Sequence, residues 1–214
     1  MLQSLVPIIL LSLYVSGAAL VIATLIGLPL GARLALHPLL GQRLIVLLIY
    51  TGMGLPPVVV GLFVYLWLSR SGPLGWLNWL FTPAAMIAAQ TVIALPLVIG
   101  LTMTAVEGVD PTLRLQLRAL GAAPAQVMWT LLSEARLGVL AAVIAAFGSI
   151  ISEVGAVMLV GGNIEGSTRV LTTAIVLETR KGNFTLSLAL GGVLLGLTFL
   201  SNVLLLRLGR GLGR

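Results

Sequence analysis

The sequence predicts an all-α membrane protein, a single transmembrane domain over 1–214 with about five spanning helices. Three observations carry this prediction. Of 214 residues, 59% are hydrophobic and 8% charged, against about 45–50% and about 25% in soluble domains; the mean hydropathy is +1.16. The apolar residues fall in five runs, 5–31, 44–68, 83–105, 137–160 and 185–206, each long enough to cross a bilayer as a helix. Those runs contain one charge, Glu153, while the rest of the chain contains seventeen. Continuous runs of this kind exclude the short alternating strands of a β-barrel. So few charges cannot coat a soluble globule, and the apolar content excludes a disordered chain. The absence of Cys excludes a disulfide framework or a Cys zinc site, and one His, His37, excludes a multi-histidine metal centre within one chain.

The first run starts close to Met1 with no basic segment before it and no small-x-small cleavage site behind it, so it is expected to stay as a helix. Pro7 lies near one end and Gly27-Leu28-Pro29-Leu30-Gly31 closes the other. A loop at 32–43 follows, with Arg33, Arg43 and His37 just before Pro38. The second run carries Gly52-Met53-Gly54-Leu55-Pro56-Pro57 and Gly61. Two prolines clash with the preceding turn and Pro57 removes a donor, so a break is expected mid-span, lining a passage. Trp67, Trp76, Trp79 and Phe81 gather around the turn-rich loop 69–82 as an interfacial belt. The third run holds Gln90 and Pro96; the fifth holds Gly192 and Gly196, a close-packing pair like Gly27 and Gly31.

Basic residues set the orientation. Loop 32–43, loop 106–136 and the C-terminal tail carry eight (Arg33, Arg43, Arg114, Arg118, Arg136, Arg207, Arg210, Arg214); the opposite segments carry four (Arg70, Arg169, Arg180, Lys181). The C-terminus is therefore expected in the cytoplasm and the N-terminus outside. The net charge of +6 reads as topology plus attraction to membrane lipid headgroups, not nucleic-acid binding, since no basic stripe with interleaved aromatics appears.

Loop 106–136 contains its own helices. Asp110-Pro111 is a helix start, an N-cap followed by proline at the first position. Gly121 ends that helix, and Pro124 starts a second, through Trp129, giving a helix–turn–helix elbow under the membrane. Gly121, between Ala119-Leu120 and Ala122-Ala123-Pro124, resembles the Gly-centred EAA loop of ABC importer permeases, although the acidic-Ala-Ala triplet of that loop falls here on Leu115, Gln116 and Leu117. Gly54–Leu62 and Leu68–Gly75 resemble oxyanion permeases of the molybdate/tungstate group. Ser152–Ala156, Gly161–Ile164 and Thr168–Ile175 are similar to tungstate permeases in particular.

The resemblance implies a type I importer permease, homodimeric, served by an ABC ATPase subunit dimer and an extracytoplasmic oxyanion-binding protein, and moving tungstate, or alternatively molybdate or a related anion, by alternating access. It implies no cofactor in this chain, with ATP and Mg on the partner ATPase; the chain has no GxxxxGK[ST] phosphate loop. It assigns ATPase coupling to Arg114, Arg118, Ala119, Leu120, Gly121, Ala122, Pro124 and Trp129. Candidate pore or gate residues are Pro56, Pro57, Glu153, Asn163, Thr172 and Thr173, the last three in an outer segment, 161–184, apolar enough to dip into the membrane. Glu153 is a poor direct ligand for an anion. It is expected to be protonated, paired with an arginine such as Arg169, or bonded to backbone amides of a broken helix, in a structural or gating role. A membrane enzyme would need a nucleophile–base pair or paired carboxylates, and a secondary transporter paired repeats and coupling-ion sites. One intramembrane carboxylate supports neither.

Overall fold

The computed structural model describes residues 2–37 and 41–211. Pro38 and Arg214, used above, lie outside the described residues. Regular structure among the described residues is helical: α1 (Leu2–Leu36), α2 (Gln42–Met53), α3 (Pro57–Leu68), a 3-10 turn at Gly75–Leu77, α4 (Pro83–Glu107), α5 (Pro111–Ala119), α6 (Pro124–Glu134), α7 (Arg136–Ile151), α8 (Gly155–Gly161), α9 (Leu171–Arg180) and α10 (Phe184–Gly211). Three helices, α1, α4 and α10, are long and apolar enough to cross a membrane, and two bent pairs raise the number to five if each pair is one span.

The centre of the molecule is α1 against α4. A methyl group added at Gly27 would fall 2.7 Å from Val98, and one at Gly31 would fall 2.6 Å from the Ile99 carbonyl oxygen, so the two helices touch nearly backbone to backbone. The small residues Ala19, Ala23, Ala85, Ala89 and Ala94 are fully buried in the same seam. In a lipid solvent, where apolar surface gains nothing by leaving the medium, such close packing is what holds helices together. Residue numbers rise together along this seam, so α1 and α4 run in the same direction. The chain must therefore cross back between them, and the segment that does so is α2 plus α3. α2 meets the C-terminal half of α4, Gly52 on Pro96 and Gly100 on Met53. α3 joins the core around Met86 and Ala89.

The same argument orders the rest. α7 starts at the far end of α4, where Gly138 abuts Ala105, and returns toward its beginning, where Gln90 reaches Ile150. α10 starts beside the first turns of α1, with Leu186 and Leu190 clustered with Leu5 and Ile8. The bundle thus has two distinct ends, one holding the α5–α6 elbow and one holding α8, α9 and loop 69–82. The exterior is apolar: Leu25, Leu47, Phe63, Leu188 and Phe199 all stand exposed. That surface suits hydrocarbon and would be untenable in water.

Helix limits differ from the apolar runs at three places. α1 continues to Leu36, five residues beyond 31 into the expected loop, because Gly31, Ala32, Leu34 and Leu36 still have a packing surface. The run 137–160 is not one helix: α7 stops at Ile151, and α8 begins at Gly155. α10 continues through the expected tail as far as Gly211. Hydropathy cannot register these limits, since helix ends depend on local backbone partners.

Candidate functional site

Two constellations stand out. The first is the elbow. Asp110 caps α5, its Oδ1 accepting from the Thr112 amide at 2.8 Å and from the Thr112 hydroxyl at 2.5 Å. These bonds hold the Asp110 carboxyl below its ordinary range. Gly121, at φ 79°, ends α5. The Ala122 amide donates to the Leu117 carbonyl and the Gly121 amide to the Arg118 carbonyl, both at 3.0 Å. This paired ending requires a left-handed residue, and glycine takes it without strain. Gln126 opens α6 by accepting from the Ala123 amide at 2.8 Å.

The inner face of the elbow is anchored and its tip is bare. Leu113, Leu117, Ala122 and Met128 pack on Ala32, Leu36, Val106, Val127 and Leu131. The Arg114 guanidinium donates to the Leu36 carbonyl at the end of α1, tying the elbow to a spanning helix. Leu120 and Trp129, by contrast, are 84% and 57% exposed, and Leu115 is exposed as well. The elbow is thus a half-anchored pair of helices with exposed apolar side chains.

The second constellation surrounds two chain breaks. Between α2 and α3 the axis turns by 104°. Pro56 is the extended residue before α3, and Pro57 its first residue. Between α7 and α8 the chain breaks at 152–154. A methyl at Gly61 would sit 2.5 Å from the Ala156 Cα, and one at Gly155 would sit 2.4 Å from a Val58 methyl. The two segments following the breaks therefore lie in direct contact. Each break frees backbone groups that lipid cannot satisfy, and side chains supply the partners. Gln90 on α4, 3% exposed, donates to the Ile150 carbonyl at 2.8 Å. Glu153 Oε1 accepts from the Ala156 amide at 2.9 Å. The Thr172 hydroxyl donates to the Glu153 carbonyl at 2.9 Å, and Ser12 Oγ accepts from the Leu171 amide at 2.8 Å. One network thus joins α1, α4, α7, α8 and α9.

The sequence match decides the family. Residues 23–214 match the family described as "Binding-protein-dependent transport system inner membrane component". The chain belongs to this family. It is accordingly a multi-pass membrane protein. The "Probable anion ABC transporter permease protein" of Haloferax volcanii is 46% identical over 94% of this chain and 88% of its own length. The "Tungstate uptake system permease protein TupB" of Peptoclostridium acidaminophilum is 40% identical over 92% of this chain and 87% of its own. Among solved structures, a chain of the MetNI methionine ABC transporter in an inward-facing form superposes with a TM-score of 0.82. It is 20% identical, with 100% of this chain and 98% of that chain covered. The fold is therefore that of an ABC importer permease.

Within this transport component, Arg114, Arg118, Ala119, Leu120, Gly121, Ala122, Pro124 and Trp129 all lie on the elbow, with Arg114, Ala122 and Leu120 divided between anchor and tip. The second group is only partly assembled. Glu153 and Thr172 meet, and Pro56 and Pro57 precede the α3 turn that touches Gly155. Thr173 is fully buried, bonding its own helix start at Val170. Asn163 sits at the far end of α8 in a left-handed conformation, and its Oδ1 is buried without a partner. Of the three environments open to Glu153, the amide bond is the one present; Arg169 instead pairs with Glu165 at 3.3 Å. Gln90, Ser12 and Thr168, which bonds the Gly161 carbonyl at 2.5 Å, were not singled out as site residues. The signal available for them was polarity inside an apolar run, which does not say whether a side chain meets substrate or backbone.

Proposed function

We propose that this chain is the transmembrane permease of an ATP-driven importer for an oxyanion, assigned as tungstate from the relatives' names, with molybdate as the alternative. It works as a homodimer, with its N-terminus outside and its C-terminus and elbow in the cytoplasm. Two ATPase subunits, which carry ATP and Mg, grip the elbow tips, and an external binding protein delivers the anion. The observation that carries the reading is the elbow: apolar and bare at Leu115, Leu120 and Trp129, yet fastened to α1 through Arg114. Motion of the tip is transmitted to the bundle through α1 and through α6 into α7, bent from it by 74°. The broken segments then re-pack to open the passage from one side to the other. Dimerisation is supported by where the breaks lie. Pro56 and Ser152 are exposed on a single chain, as are Val58 and Val59, so a passage along them closes when a second copy faces them.

Neutral donors and backbone amides suit an anion that keeps its charge; the Thr168, Thr172 and Thr173 hydroxyls already donate to backbone carbonyls, so they shape the outer segment rather than meet the anion directly. Tungstate and molybdate share shape and charge, so their discrimination falls to the binding protein. The experiment is uptake of radiolabelled tungstate and molybdate in cells lacking the chromosomal genes, complemented with this chain and its partners, alongside co-purification. Saturable tungstate uptake, with an ATPase subunit retained on the chain and lost in Gly121→Trp, is the expected result. Absence of any co-purifying ATPase together with intact uptake in Gly121→Trp would overturn the reading.

A further inference from the structure

The last turn of α1 carries Arg33 toward the elbow, His37 follows directly after it, and a cleft lies between them and the elbow. It consists of two adjoining hollows of about 130 Å³ and about 460 Å³ that share Leu36, His37 and Pro124. Arg114 and Arg118 line one, and Arg33 lines the other. Among the described residues, no acidic side chain lines either hollow. Arg33, His37 and Arg118 are exposed and make no ion pair with a described acid. Arg114 gives one nitrogen to the Leu36 carbonyl, while its Nε is buried without a partner. Three arginines gathered with no counter-charge repel one another, and a bound anion removes that repulsion.

Depth and lining narrow the anion. α1 has 35 residues, about 52 Å of helix against about 30 Å of hydrocarbon and about 40–45 Å with both headgroup layers, so a centred α1 brings its last turn to the outer edge of the headgroups. Leu36, Val127 and Met128 add apolar walls beside the arginines, which a free, fully hydrated anion has no use for. A phospholipid carries a phosphate and an apolar glycerol ester in that arrangement. We infer that this cleft binds the headgroup of an anionic phospholipid, its phosphate held by Arg33, Arg118 and His37 above the Arg114 guanidinium. Such a lipid braces α1 against the elbow, so it strengthens the link between ATPase and bundle. The inference rests on the membrane placement of the elbow end proposed above, but its primary readout requires no transport.

The test uses the chain co-purified with its partners and exchanged into nanodiscs of phosphatidylcholine containing a small fraction of phosphatidylglycerol. Retained lipid is counted by native mass spectrometry. Arg33→Gln and Arg118→Gln are each expected to weaken phosphatidylglycerol retention about fivefold, whereas Arg70→Gln, on the opposite loop, leaves it unchanged. ATPase activity should rise with phosphatidylglycerol in the unaltered protein and lose that response in the double variant. Equal retention in the double variant and the unaltered protein, both eluting as folded particles, overturns the inference. Loss of retained phosphatidylglycerol on adding millimolar inorganic phosphate also overturns it, since the site would then belong to a soluble anion. If no ATPase co-purifies, the functional proposal fails, and lipid counts on the isolated chain still decide this one.

Discussion

Glu153 and Gln90 act on backbone rather than on solute in this structure, and that sorts the effects of replacing them. Glu153→Gln keeps an oxygen for the Ala156 amide, so folding should survive; Glu153→Leu strands that buried amide at about 1–3 kcal/mol. Thermal unfolding in detergent should show Leu well below Gln, and equal melting of the two would remove the capping role. Whether the charge itself matters is read from uptake: normal uptake and assembly in Glu153→Gln leaves it no part. Gln90→Leu is expected to lose less, because the Ile150 carbonyl keeps the Glu153 amide at 3.3 Å as a second donor. At Asp110 the lowered pKa fixes the direction of pH dependence. Its contribution is fully present above the ordinary aspartate range and is lost as pH falls through and below it. Protection of the Thr112 and Leu113 amides, taken relative to the intrinsic exchange rate at each pH, should therefore fall on acidification, and should already be low in Asp110→Ala.

Glycine pairs that look alike in the chain separate at the level of helices. Gly27 and Gly31 face α4 at distances that leave no room for a side chain, whereas Gly192 and Gly196 on α10 have nothing within 4 Å. Gly31→Leu should therefore unfold or grossly destabilise the chain, well beyond the 1–3 kcal/mol usual for overpacking. Gly192→Leu should leave the fold intact, with any effect confined to association, which size-exclusion light scattering can read. The elbow is governed by its turn: Gly121→Ala forces a side chain into φ 79°, a cost of roughly 1–2 kcal/mol. ATPase retention in pull-downs should fall while the melting of the bundle hardly moves.

Parity of crossings organises the whole molecule. Because α1 and α4 run the same way, the ends are sorted: elbow and C-terminal helix end together, opposite loop 69–82. Which end faces the cytoplasm is a separate matter, and the chain is well suited to test it, since it contains no Cys. Single cysteines at Leu120→Cys and Trp76→Cys should label oppositely with an impermeant thiol reagent. Trp76→Cys is expected to label in intact cells and Leu120→Cys only after permeabilisation; the reverse pattern would invert the proposed topology.

The sequence by itself determined the class, the number of apolar segments, the elbow and the place of the Pro56-Pro57 break. Each of these is local, set by hydropathy over about 20 residues or by one proline or glycine. It also singled out Glu153, because a charge at membrane depth is conspicuous against an apolar run. Only the tertiary structure decided which groups Glu153 meets, that α7 and α8 are separate, and that Gln90 serves the break from sixty residues away. It decided too that one glycine pair packs while the other stands open. These depend on what lies across an interface, and a one-dimensional pattern of apolar residues is the same whichever neighbour arrives.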